Sequence, residues 1–187
     1  RSAVSDLDWA DAYPGQGKTL GEIFCLTFVK DVDTTEALRR MGGLLDTVTV
    51  RALTDIGDLH TFDNGYPEVA SVAALDGWTV LFEPGGFEGN HLVAALSQGT
   101  EAVSVLRHDY ASPSFDYAVD GTLVVHFDPT FPAYRHGSDP DRLLPLMREV
   151  GFDTDDDQVQ PTCADAVLRN DVVATSPDLP EHALFEK

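Results

Sequence analysis

The dipeptide Asp76-Gly77 lies between two apolar runs, Glu68-Val69-Ala70-Ser71-Val72-Ala73-Ala74-Leu75 and Trp78-Thr79-Val80-Leu81-Phe82-Glu83. A two-residue type I′ turn needs positive φ at both central positions, which Asp and Gly tolerate, so this pattern predicts a tight β-hairpin. Both runs are apolar at odd and even positions alike, so both faces of the strands should be covered, as at the centre of a sheet. A second dipeptide, Asp120-Gly121, joins Ser114–Val119 to Thr122–Asp128. In the first of these runs Phe115, Tyr117 and Val119 alternate with Asp116, which reads as the outward, polar side. With Val103–Arg107 ahead of them, three consecutive strands form an antiparallel meander, wetter on one side toward an edge.

Helices are expected around this sheet. Asp33 and Glu36 make a capping box for a helix ended by Gly42-Gly43, with Ala37, Leu38 and Met41 inward and Arg39 and Arg40 outward. Pro84–Gly89 is a glycine-rich loop before a helix from Asn90 to Gln98, capped by Asn90, with Leu92, Ala95 and Leu96 inward. Ser138 and Asp141 make a second capping box, and Pro145 would kink the helix that follows. Gly151 and Phe152 suit its Schellman end. Glu22–Lys30 is ambiguous between strand and helix, with strand preferred. Less marked are an opening helix over Ser5–Tyr13, a short strand at Thr47–Val50 and helical turns at Thr54–Leu59. Residues 153–160 read as an acidic linker to a helix over 162–175, and 176–187 as a frayed tail. Together these predict one α+β domain over 1–187, a mainly antiparallel sheet of hairpins and meander with helices packed on it.

Charge constrains the partners. The 187 residues include 32 Asp and Glu against 12 Lys and Arg, a net charge of −20 at pH 7. Such a field repels phosphate backbones and anionic lipid heads, which argues against nucleic acid and membrane surfaces and for a basic protein. Two cysteines, Cys25 and Cys163, do not make a disulfide framework, and a reducing, cytoplasmic setting is expected.

Reaction motifs are incomplete. Gly15-Gln16-Gly17-Lys18-Thr19 ends like a phosphate-binding loop, but the required first glycine is Ala12 and no apolar strand precedes it. Leu123–Asp128 resembles a Walker B strand only as any apolar strand ending in Asp would. Asp153, Asp155 and Asp157 copy three ligand positions of a calcium loop, yet its turn glycine is Gln158 and its closing Glu is Ala164. The six histidines show no paired metal spacing, so no metal and no cofactor are expected. His126 and Asp128, two apart on one strand, are the best acid–base pair. The binding candidates are Trp78, Phe87 and Tyr134 beside loops, the cations Arg107 and Arg135, and Glu83, His126 and Asp128.

Several segments together resemble an actinobacterial, Streptomyces-type domain family of unknown function. They are Phe24–Val29, Glu36–Gly42, Gly77–Pro84, Leu96–Thr100, Phe115–Ala118 and Gly137–Leu143. The resemblance runs from about Cys25 to the last predicted helix, implies a bacterial cytosolic setting and carries no catalytic residues. Two functional readings follow from the residues. One is a non-enzymatic binding or inhibitor module of immunity type, whose acidic surface neutralises a basic protein. The other is a small-molecule enzyme or sensor with a pocket between the sheet and the loops at 83–90 and 131–136, joining Glu83, Arg107 and His126.

Overall fold

A computed structural model describes residues 20, 23–51, 55, 59, 61–65, 67–108 and 111–155, and the backbone of 182–186. The opening helix, the phosphate-loop-like segment and the helix expected over 162–175 lie outside these residues, as does most of Thr54–Leu59. The described chain runs β1 (Ile23–Lys30), α1 (Thr34–Arg40), β2 (Thr49–Arg51), β3 (Val69–Leu75), β4 (Trp78–Pro84) and α2 (Glu88–Leu96). It continues with β5 (Glu101–His108), β6 (Ser114–Val119), β7 (Thr122–Phe127), β8 (Arg135–His136), α3 (Leu144–Glu149) and β9 (His182–Glu186). All strands join one sheet in the order β2-β9-β3-β4-β1-β5-β6-β7-β8. Every neighbouring pair is antiparallel, so the chain is an α+β fold as its hairpins foretold.

Both aspartyl-glycine turns form with both residues at positive φ, 45° and 84° at Asp76-Gly77 and 46° and 79° at Asp120-Gly121. The centre of the sheet is β1 rather than the β3–β4 hairpin: β1 inserts between β4 and β5. Backbone groups at residues 182–186 likewise pair with β2 and β3, where a frayed tail was expected.

Alternation divides β1 between two layers. Phe24, Leu26 and Phe28 join Val80, Phe82, Val103, Val105, Phe115, Tyr117 and Phe127 on one face, covered by Leu143, Met147 and Phe152 from α3 and its end. Val29 joins Val72, Leu81, Ala102 and Ala118 on the other, under Ala37, Leu38 and Met41 of α1 and its end and Val93 and Leu96 of α2. Burying each of the large apolar side chains contributes about 1.5–3 kcal/mol, so this two-sided burial is what fixes the register.

The helix starts differ from the sequence reading. Asp33 accepts from the Glu36 backbone N–H as foreseen, but the Glu36 side chain turns to Arg39 and Arg40 instead of back to the cap. Arg40, expected to point outward, donates to the carbonyls of Leu96 and Gln98 at the end of α2. Asn90 does not cap α2, which begins at Glu88, and Ala95 is exposed where an inward side chain was expected. The Ser138 box does not form either. With α3 starting at Leu144, Pro145 sits in the first turn, where its missing N–H has no intrahelical acceptor, and it kinks nothing. The Schellman end does form: Phe152 N donates to Met147 O at 2.9 Å and its ring packs edge-on to Phe127.

A bulge governs the last hairpin. Ala118 pairs with Leu123 but Tyr117 with Val125, leaving Val124 as an extra residue. The Val124 carbonyl accepts from Asp139 N at 3.1 Å, and Gly137 passes so close that a Cβ there would lie 2.2 Å from that oxygen.

Candidate functional site

Two polar groups interrupt the apolar layers. The first lies at one end of the sheet, where β1 stops, β5 starts and both I′ turns fall. Asp31 N donates to Gly77 O, Thr100 Oγ1 to Lys30 O and Asp120 N to Thr100 O, which ties the four strand ends into one rim. The positive-φ non-glycine residues among those described are Asp31, Asp76 and Asp120. All three stand on this rim and are exposed. Asp tolerates the left-handed region better than most residues, which accounts for its choice there. Adjacent strands are about 4.8 Å apart, so the rim from the β3–β4 turn to the β6–β7 turn spans roughly 15–20 Å.

Just inside the rim, on the α3 side of the sheet, Trp78, Lys30, Glu101 and Tyr117 form a row across β4, β1, β5 and β6. Lys30 pairs directly with Trp78 across the strands, and its Nζ lies 5.8 Å from the ring centroid. The same ammonium is 2.5 Å from Glu101 Oε1, while Tyr117 OH donates to Glu101 Oε2 at 2.6 Å. Hydrogen bonds from Lys30 and then Tyr117 hold the Glu101 carboxyl below the usual range, with Arg142 adding a weaker pull. Burial, then the Glu101 carboxylate, pushes the Tyr117 phenol up to about 12.

The second group lies on the opposite face, beneath the start of α2. Glu83 is 3% exposed, and its carboxylate accepts from the backbone N–H groups of Glu88 at 3.2 Å and Gly89 at 2.7 Å. It therefore fills the anion position that an uncapped helix start offers. Cys25, Thr27 and Ser104 continue the group, with Cys25 Sγ 3.3 Å from Ser104 Oγ. Burial first, then the Glu83 charge, raises the Cys25 thiol to about 12, so it stays protonated at neutral pH.

Asn90 bridges onward, donating through Nδ2 to Ser114 Oγ at 2.8 Å and to Asp116. Asp116 is 5% exposed and accepts from His126 Nδ1 at 2.6 Å. His126 in turn lies against His136, ring centroids 4.3 Å apart. A histidine oriented by a buried carboxylate is chemically competent to move a proton. Here, however, Asp116 is the orienting acid; Asp128 instead accepts from Thr130 N and Oγ1 in the turn that follows the strand.

The sequence candidates therefore scatter. Trp78 belongs to the rim row, and Glu83 and His126 to the group under α2. Arg107 pairs with Phe24 across the strands and so faces the other side of the sheet from Glu83 and His126. Arg135 binds Asp141 and the carbonyls of Pro132, Ala133 and Thr154, holding its loop to the chain after α3. Phe87 and Tyr134 are exposed, Phe87 edge-on to His91 at 5.1 Å. Lys30, Glu101, Tyr117, Asn90, Ser114 and Asp116 were not foreseen. Asp116, expected on the outward, polar side of its strand, is instead buried beneath α2, and the bulge changes its partner from Val125 to His126.

Among the described residues no three His, Cys, Asp or Glu side chains gather as metal ligands, and no helix is long and apolar enough to cross a membrane. A family described as a family of unknown function (DUF6461) matches residues 1–176. No curated protein and no solved structure matches the chain.

Proposed function

We propose that this chain, which belongs to the DUF6461 family, is a non-enzymatic acidic binding module that engages a basic protein through the rim of Asp31, Asp76 and Asp120. One observation carries the reading. Lys30, Arg39, Arg40, Arg135 and Arg148 are each paired within the chain, whereas the three rim aspartates are exposed and make no ion pair among the described residues. These five cations are thus engaged within the chain while the rim carboxylates face outward, which favours fast, salt-sensitive encounter with a positive surface. The carboxylates best placed for chemistry, Glu83 and Asp116, are buried and engaged by the chain's own donors, which lowers the standing of the pocket reading. An immunity-type inhibitor in an actinobacterial cytosol is the biological form of this function that we favour.

Asn occupies the left-handed region as readily as Asp, so D31N/D76N/D120N removes three charges while keeping the turns. Affinity purification from an extract of the encoding organism, with wild type and this variant as baits, tests the reading. A basic protein held by wild type at low salt, released at high salt and lost with the variant is the expected result. Equal retention by both baits rejects the rim as the docking surface.

A further inference from the structure

We infer that the partner's anchor on this rim is an arginine whose guanidinium takes the place of Lys30 between the Trp78 ring and the Glu101 carboxylate. This rests on the docking reading above and names the chemistry of the group that docks. The receptor is already built in the free protein. The Trp78 indole packs against the core below it, half-buried, and the Tyr117 hydroxyl holds one Glu101 oxygen, leaving the other for a cation. Arg142 acts on Glu101 and Tyr117, and the cation over the Trp78 ring is Lys30. Lys30 occupies the place between ring and carboxylate, with a side chain 44% exposed.

The Lys30–Glu101 pair is only part-buried, so water reaches the ammonium and a competing cation can replace it. A guanidinium fits the same place better, because it is planar, weakly hydrated, stacks on indole and can engage a carboxylate through two N–H groups. Lys30 is therefore a resident stand-in: it keeps Glu101 paired until an incoming arginine, drawn by Asp31, Asp76 and Asp120, displaces it.

The test uses the full chain and two labelled peptides, one alternating arginine with serine and one alternating lysine with serine, measured by fluorescence anisotropy at low salt. Wild type should bind the arginine peptide more tightly than the lysine peptide. K30M should tighten the arginine peptide about two- to fivefold beyond the effect of R39Q, which removes an exposed cation elsewhere. W78L should abolish the arginine preference, and W78F, which keeps a ring, should retain part of it. Equal binding of the two peptides to every variant, with K30M matching R39Q, overturns the inference. If D31N/D76N/D120N still weakens both peptides in that case, the rim reading survives without it. Failure of wild type to bind either peptide removes both.

Discussion

Gly89 is the point at which helix propensity and packing make opposite predictions. In an exposed helix, replacing Gly by Ala stabilises by about 1 kcal/mol. Gly89, however, lies against the sheet, where an added Cβ would stand 2.2 Å from Thr27 Oγ1, 2.9 Å from Glu83 Oε2 and 3.1 Å from Thr27 Cβ. Thr27 and Glu83 are both buried, so neither can swing away. Moving α2 outward instead lengthens the 2.7 Å bond from Gly89 N to Glu83 and leaves a buried carboxylate short of a donor. Overpacking costs about 1–3 kcal/mol and the weakened buried bond about 1–3 kcal/mol. Less the propensity gain, these bound the loss at about 1–5 kcal/mol, and G89A should fall near the middle of that span, at about 2–3 kcal/mol. For a domain of this size that lowers Tm by roughly 4–12 °C. Urea titration followed by far-ultraviolet circular dichroism measures it, and the double variant T27A/G89A should lose about 1 kcal/mol less than the sum of its parts. A G89A protein as stable as wild type, or more so, would refute the packing of α2 on Thr27 and Glu83.

Asp116 holds Asn90 and His126 together, so D116A should cost about 2–4 kcal/mol in the same titration, whereas an effect under 0.5 kcal/mol would dissolve the network under α2. In a C163S background, Cys25 should react with a disulfide reagent at pH 8 only as fast as the protein unfolds, because its thiol is held neutral. Since its folded pKa of about 12 exceeds the unfolded value near 8.5, its contribution to stability is complete below pH 8.5 and declines as pH rises toward 12; C25A should flatten that decline. Glu101 runs the other way: its depressed pKa contributes stability above about pH 4.3 that is lost as pH falls, so E101Q should flatten the upper part of the acid limb of a stability–pH profile. P145A should change stability by less than about 1 kcal/mol; a gain near 3 kcal/mol would mean that the proline interrupts a longer helix.

What could be read from the residues was local. The aspartyl-glycine turns specify themselves, because left-handed φ at two successive positions is satisfied by few other pairs, and the strands on either side follow in register from Leu75 opposite Trp78. The α+β class follows from those turns. The placement of β1 between β4 and β5, and of β9 between β2 and β3, depends on contacts between residues far apart in sequence, for which no local signal exists. The site was illegible for the same reason. Glu83 caps α2 from the end of a strand, so Asn90, the residue with the better local signature, is free to reach Asp116 and Ser114. The Val124 bulge shifts the register of β7 by one residue, and with it the partner of Asp116. Lys30, Glu101 and Tyr117 lie on three strands and become a row only once the sheet is assembled.

Zero-length carbodiimide cross-linking of the complex with the captured basic protein, followed by mass spectrometry, tests the central claim most directly. Amide links to partner lysines should concentrate on Asp31, Asp76 and Asp120. Links concentrated on Asp46, Asp63 or Glu149, with the rim unmodified, would contradict it.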